Sequence, residues 1–258
     1  MPWKTVIPYT DIFEPTARRN PLRAVFLLAK DPVRQYNKGN DRLGGIVVEA
    51  SKKLYIMISK TDTGIGNLIR KVSGYPYNHV SMTLDEKFHR WVSFARFHQD
   101  TALYGGFIVE PSERFLAKGQ TIDIRVFALD LTPGRYEELK QLFAKAGTPD
   151  NGYIYNYLEL LTLSIGIKFP IRDAYSCLGF SNAVMGTDFR SIHDLDRQLT
   201  PHLFYNGTLN DLSPDTGDRS DLYFTRLGLC QGLDRSIKTL GTMFHRIIAN
   251  DKEPSPVG

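Results

Sequence analysis

The strongest constraint on this chain is an ordered pair of segments. Tyr77-Asn78-His79-Val80-Ser81-Met82 reads as a strand, and about a hundred residues later Asp173-Ala174-Tyr175-Ser176-Cys177-Leu178-Gly179-Phe180 reads as the start of a helix. A histidine on a strand and a cysteine at a helix N-terminus are the two parts a thiolate nucleophile needs. The helix end and a nearby imidazolium both favour the thiolate, and the imidazole can then shuttle a proton to the leaving group. The pair points to cysteine-based hydrolysis or acyl transfer in a fold where a strand and a distant helix meet.

The elements around the pair are mixed. Lys53 to Ile58 is an apolar, β-branched run and reads as a strand, as does Gly45 to Glu49. Apolar positions 65, 68, 69 and 72 have helical spacing, closed by Gly74. A hairpin follows, with strands His79 to Leu84 and His89 to Arg96 about a turn at Asp85 to Lys87. Thr121 to Leu131 is a strand whose alternation of Ile122, Ile124, Val126 and Ala128 predicts one buried face. Thr132 and Pro133 open a helix to Ala146, an apolar helix spans 158–167, the cysteine helix spans 176–185, and Arg235 to Asn250 reads as a terminal helix. This order lacks a regular βαβ alternation, so the fold class is α+β.

Composition narrows the function. The 32 basic and 28 acidic residues are scattered, which singles out no nucleic acid or other polyanion. Two cysteines, Cys177 and Cys230, are too few for a disulfide framework and fit a reducing compartment. The N-terminus lacks the pattern of a secretory signal, and Leu158 to Ile167 is too short to span a bilayer, so a cytoplasmic protein without a transmembrane segment is expected. His98, His193, His202 and His245 show no zinc-binding spacing, and no metal or organic cofactor is expected.

A free cysteine is often a small buried hydrophobe, and a lone strand histidine is often structural. Position separates Cys177 from that background. Ser176 is a natural N-cap, and the first-turn N–H groups, that of Cys177 foremost, are placed to hold an oxyanion. Cys230 has no such context.

The run Tyr77 to Ser81, the later Ser93-Phe94-Ala95-Arg96, and Tyr175 to Phe180 together resemble the circularly permuted branch of the NlpC/P60 papain-like superfamily. That branch includes the lecithin:retinol acyltransferase-like proteins and their bacterial relatives, and in it the histidine strand precedes the cysteine helix. Gly152-Tyr153-Ile154-Tyr155-Asn156-Tyr157 is similar to an aromatic element that precedes the nucleophile in many members. The resemblance covers about residues 44–186. It implies a permuted papain-like core, an antiparallel sheet or partial barrel packed against helices that include the nucleophile helix. Residues 1–43 would form an N-terminal arm and 187–258 a C-terminal elaboration packed on the core.

By this resemblance Cys177 is the nucleophile, His79 the general base and acid, and Tyr155 and Tyr175 the substrate contacts. Members also use a third polar residue to orient the imidazole, and here the chain departs from them. A three-residue turn pairs His79 with Ser93, a two-residue turn with Phe94. Ser93 is the preferred orienter, with His89, Arg96 or a backbone group as alternatives. The substrate would be a small-molecule, peptide or lipid acyl compound. The competing function is a binding module that keeps the shell without the chemistry.

Overall fold

The computed structural model describes residues 52–116, 121–147, 149–162 and 168–249. The N-terminal arm, the strand expected at 45–49 and the end of the helix expected at 158–167 lie wholly or partly outside them. The strands are β1 (Lys52–Ser59), β2 (His79–Thr83), β3 (Arg90–Arg96), β4 (Gly105–Pro111), β5 (Asp123–Leu131), β6 (Ile154–Tyr155), β7 (Ala174–Tyr175) and β8 (Leu203–Thr208). The helices are α1 (Gly64–Ser73), α2 (Ser112–Phe115), α3 (Pro133–Phe143), α4 (Tyr157–Thr162), α5 (Cys177–Met185), α6 (Ile192–Leu199), α7 (Leu209–Leu212) and α8 (Leu229–Ile248). Six strands form one antiparallel sheet in the order β4-β3-β2-β1-β5-β8, while β6 and β7 pair in parallel as a separate ribbon. The fold is thus α+β, with an antiparallel sheet packed against helices.

Strand alternation sends side chains to two cores. Leu54, Ile56, Ile58, Val80, Met82, Val92, Phe94 and Phe107 face Leu178, Phe180, Val184 and Met185 of α5. Tyr55, Met57, Trp91, Ile124 and Val126 form the second core on the opposite face. The single buried face expected for β5 is therefore corrected: Phe127 and Leu129 join the first core while Ile124 and Val126 join the second. Each large apolar side chain so buried contributes about 1.5–3 kcal/mol.

Local chemistry starts and stops the helices that matter here. Ser176 Oγ accepts the Gly179 N–H at 2.9 Å, and Gly186 closes α5 with a positive φ of 63°. Thr63 and Gly74 do the same for α1.

The hairpin departs from its expected register. Met82 lies opposite Val92, which carries Ser81 level with Ser93 and His79 level with Ala95. The connection is longer than three residues because Asp85 organises it. Its carboxylate accepts the N–H groups of Lys87 and His89, and Phe88 takes a φ of 59°, turning its ring into the second core.

Two further elements were not legible as sequence. β4 begins with two glycines, which weaken any strand signal. The C-terminal segment is more than a packed elaboration, because β8 supplies a strand of the main sheet beside β5. α8 begins at Leu229, ahead of the expected Arg235. Among the described residues no helix is long and apolar enough to cross a membrane.

The β4 glycines have a positional reason. A Cβ on Gly106 would lie 2.4 Å from the Tyr153 carbonyl oxygen, so only glycine lets β4 approach the segment that leads into β6. Gly106→Ala is expected to cost about 1–3 kcal/mol. Urea unfolding would measure it, and an unchanged midpoint would contradict the close approach.

Candidate active site

Cys177 is the first residue of α5 and is 4% exposed. β7 leads directly into that helix, and its parallel pairing with β6 sets Tyr175 beside Tyr155. Arg246 of α8 braces both strands from behind, donating to the carbonyls of Gly152, Arg172 and Asp173. Glu159 braces the helix start, its Oε2 accepting the Ser176 N–H at 3.0 Å. A Cβ on Gly179 would lie 2.6 Å from the same oxygen, so the glycine makes room for the carboxylate.

His79 reaches the thiol from the first position of β2. Its neighbour Asn78 is buried and closes the start of the strand. Asn78 Oδ1 accepts the Thr61 N–H at 2.8 Å, and Asn78 Nδ2 donates to the Thr61 carbonyl at 2.9 Å. The His79 ring neighbours the Cys177 side chain and is hydrogen-bonded to Glu110. Nε2 lies 2.8 Å from Glu110 Oε2, which leaves Nδ1 as the ring nitrogen available to the sulfur.

Glu110 is the residue that sequence reasoning missed. It sits on β4, two strands away from β2, and is 5% exposed. Ser81 Oγ donates to its Oε2 at 2.9 Å, and Ser93 Oγ donates to the same oxygen. Ser93 also lies 3.3 Å from His79 Nε2. The serine chosen as orienter therefore touches the imidazole, but a carboxylate is its closer partner. The available signal was an acid ending the apolar run Phe107-Ile108-Val109-Glu110. It was unreadable without the pairing that sets β4 beside β3.

The other candidates lie apart from the imidazole. His89 Nδ1 pairs with Ser213 Oγ at 3.2 Å. Arg96 donates to the Gln99 carbonyl at 3.1 Å. Tyr175 packs edge-on against Phe94, with ring centroids 5.3 Å apart, inside the first core. Tyr155 does neighbour the thiol, which acts on its electrostatics. Cys230 is exposed, at the start of α8.

Electrostatics fix the protonation pattern. Burial by itself would discharge His79, but the Glu110 carboxylate and the neighbouring Cys177 outweigh it and hold the imidazole pKa above its ordinary value of 6.5. Burial would likewise raise Glu110, but His79, Ser93 and Arg114 outweigh it and hold the carboxyl below its ordinary 4.5. Burial first, then the neighbouring Cys177, pushes the Tyr155 phenol well up, so its hydroxyl keeps its proton.

A cleft of about 320 Å³ opens beside this group, and His79, Glu110, Tyr155, Tyr157 and Arg96 help line it. The Cys177 thiol is not part of the lining. Its polar neighbours His79 and Tyr155 are. Among the described residues no cluster of three His, Cys, Asp or Glu side chains is set to hold a metal. No protein-family model matches the chain, and no curated protein or solved structure matches it.

The ion pair has a testable pH signature. His79, raised on folding, stabilises fully below pH 6.5, and its contribution is lost as pH rises toward its folded value. Glu110, depressed on folding, stabilises fully above pH 4.5, and its contribution is lost as pH falls toward its folded value. The contribution of the pair is therefore greatest between pH 4.5 and 6.5. Glu110→Ala, which leaves the imidazole buried and unpaired, is expected to cost about 3–5 kcal/mol in that window. Urea unfolding across pH would check it. A flat difference between wild type and a His79→Gln/Glu110→Gln double variant would contradict the pairing.

Proposed function

We propose that this chain is a cysteine hydrolase or acyltransferase, built as a papain-like core in permuted order. The observation that carries the reading is His79 neighbouring the Cys177 thiol while a buried carboxylate holds its Nε2. Supporting it are the order of the histidine strand and the cysteine helix, and the packing of α5 against β2 and β3 of an antiparallel sheet.

In the proposed reaction the sulfur attacks an amide, ester or thioester carbonyl carbon as a thiolate, its charge balanced by the His79 imidazolium that Glu110 holds protonated. The developing oxyanion is held by the Cys177 N–H at the start of α5, with the Tyr155 hydroxyl as a second donor. Collapse expels the leaving amine, alcohol or thiol, which receives the proton from His79, and leaves a thioacyl enzyme. His79 then deprotonates water or another acceptor, which displaces the thiol. Glu110 stabilises the imidazolium throughout and keeps the ring oriented, with Ser81 and Ser93 fixing the carboxylate.

The competing reading, a binding module with an idle dyad, draws on the thiol lying outside the cleft lining. Acyl trapping separates the two. Incubation with p-nitrophenyl acetate is expected to leave one acetyl group on Cys177, located by peptide mass mapping, with none at that site in Cys177→Ala. His79→Ala is expected to slow steady hydrolysis by about 10²–10⁴-fold. A protein that forms no adduct at Cys177 would favour the binding module.

A further inference from the structure

The cleft contains two polar groups that the proposed chemistry does not use. Tyr157 is 6% exposed and lines the cleft, yet its hydroxyl has no hydrogen-bond partner among the described residues. Leaving a buried hydroxyl unpaired costs stability, so a group held this way calls for a use. The second group is the Arg96 guanidinium. It contacts the Gln99 carbonyl and, at 3.5 Å, the Tyr223 hydroxyl, but pairs with no carboxylate among the described residues.

Every other charged side chain in the lining is engaged. Glu110 pairs with His79, Arg114 with Asp221, and Asp62 accepts from Asn67 beside Arg70. Arg96 and Tyr157 are neighbours. Arg96 lies opposite Gly105 in the β3–β4 pair, and a Cβ on Gly105 would lie 3.1 Å from Tyr157 Oη. Tyr157 also adjoins the thiol site, its ring centroid 4.8 Å from that of Tyr155.

We infer that Arg96 and Tyr157 form an anion subsite, and that the acyl substrate carries a carboxylate close to the carbonyl attacked by Cys177. One unpaired cation and one neutral donor match a monoanion, whereas a phosphate dianion calls for more positive charge than this wall supplies. Burial pushes the Tyr157 phenol up despite the nearby guanidinium, which keeps the hydroxyl protonated as a donor. The inference rests on the reading of Cys177 as the acyl-accepting thiol, and it narrows the substrate to carboxylate-bearing acyl compounds such as peptides with a nearby free carboxylate.

The test uses N-acetylglycine and its neutral analogue N-acetylglycinamide on the full chain, read by the shift in Tm and by protection of Cys177 from iodoacetamide. N-acetylglycine is expected to stabilise the wild type and the amide to fail. The half-effective concentration should rise about tenfold in Arg96→Gln, the loss of a charge-assisted bond, and by a smaller factor in Tyr157→Phe. Tyr157→Phe removes only the unpaired hydroxyl, so its ligand-free Tm should match or exceed that of wild type, which keeps the test open if Arg96→Gln fails to fold. Equal stabilisation by the amide, an undiminished carboxylate effect in Tyr157→Phe, or tighter binding of inorganic phosphate would overturn the assignment. Stabilisation that depends on Arg96 without protecting Cys177 would uphold the subsite and sink the thiol as its partner.

Discussion

The buried ion pair between His79 and Glu110 is the interaction on which the rest of the site depends. Two opposite charges are held almost out of water, and each is tolerable only because the other is present. Ser81 and Ser93 donate to the same carboxylate oxygen that meets the imidazole, and Arg114 adds a favourable field. With Nε2 so occupied, the ring is held by Glu110, and its other nitrogen is left available to the neighbouring Cys177. Three strands and one helix are thereby tied to a single electrostatic arrangement, and strain in any of them would be felt at the sulfur.

Much of this arrangement was legible in the chain and some was not. Ser176 and Gly186 bracket the cysteine helix as cap and stop residues do, and Thr63 and Gly74 bracket α1 in the same way. Local rules sufficed there because a cap acts within one turn. The partner of His79 was not readable because register is a property of the pairing, and Asp85 with the positive φ of Phe88 lengthens the hairpin beyond the simple turn. Glu110 was further out of reach. Its strand opens on Gly105-Gly106, glycines required by the close approach of the Tyr153 backbone, so the segment that carries the carboxylate hid its own strand character. Tyr175, a substrate contact only by the resemblance, packs its ring against Phe94 and Phe180, a placement set by tertiary packing that no local pattern carries.

The site divides into settled and unsettled polar groups. Glu110, Ser81, Ser93 and Asn78 are satisfied by one another or by backbone, as buried polar groups ordinarily are. Tyr157 is not, and it lies in the cleft wall beside a guanidinium with no carboxylate of its own. A structure that satisfies the groups orienting its reactive pair while leaving others open at the adjoining wall has the pattern of a site arranged for a ligand.

The most direct measurement is the rate of Cys177 alkylation by iodoacetamide from mildly acidic to alkaline pH, followed by mass spectrometry in wild type, His79→Ala and Glu110→Gln. The account predicts ready labelling of wild type at mildly acidic pH, where an ordinary thiol of pKa about 8.5 is almost fully protonated, and a steep loss in both variants. Labelling that is negligible at such pH, or identical in all three proteins, would contradict a thiol coupled through His79 to Glu110.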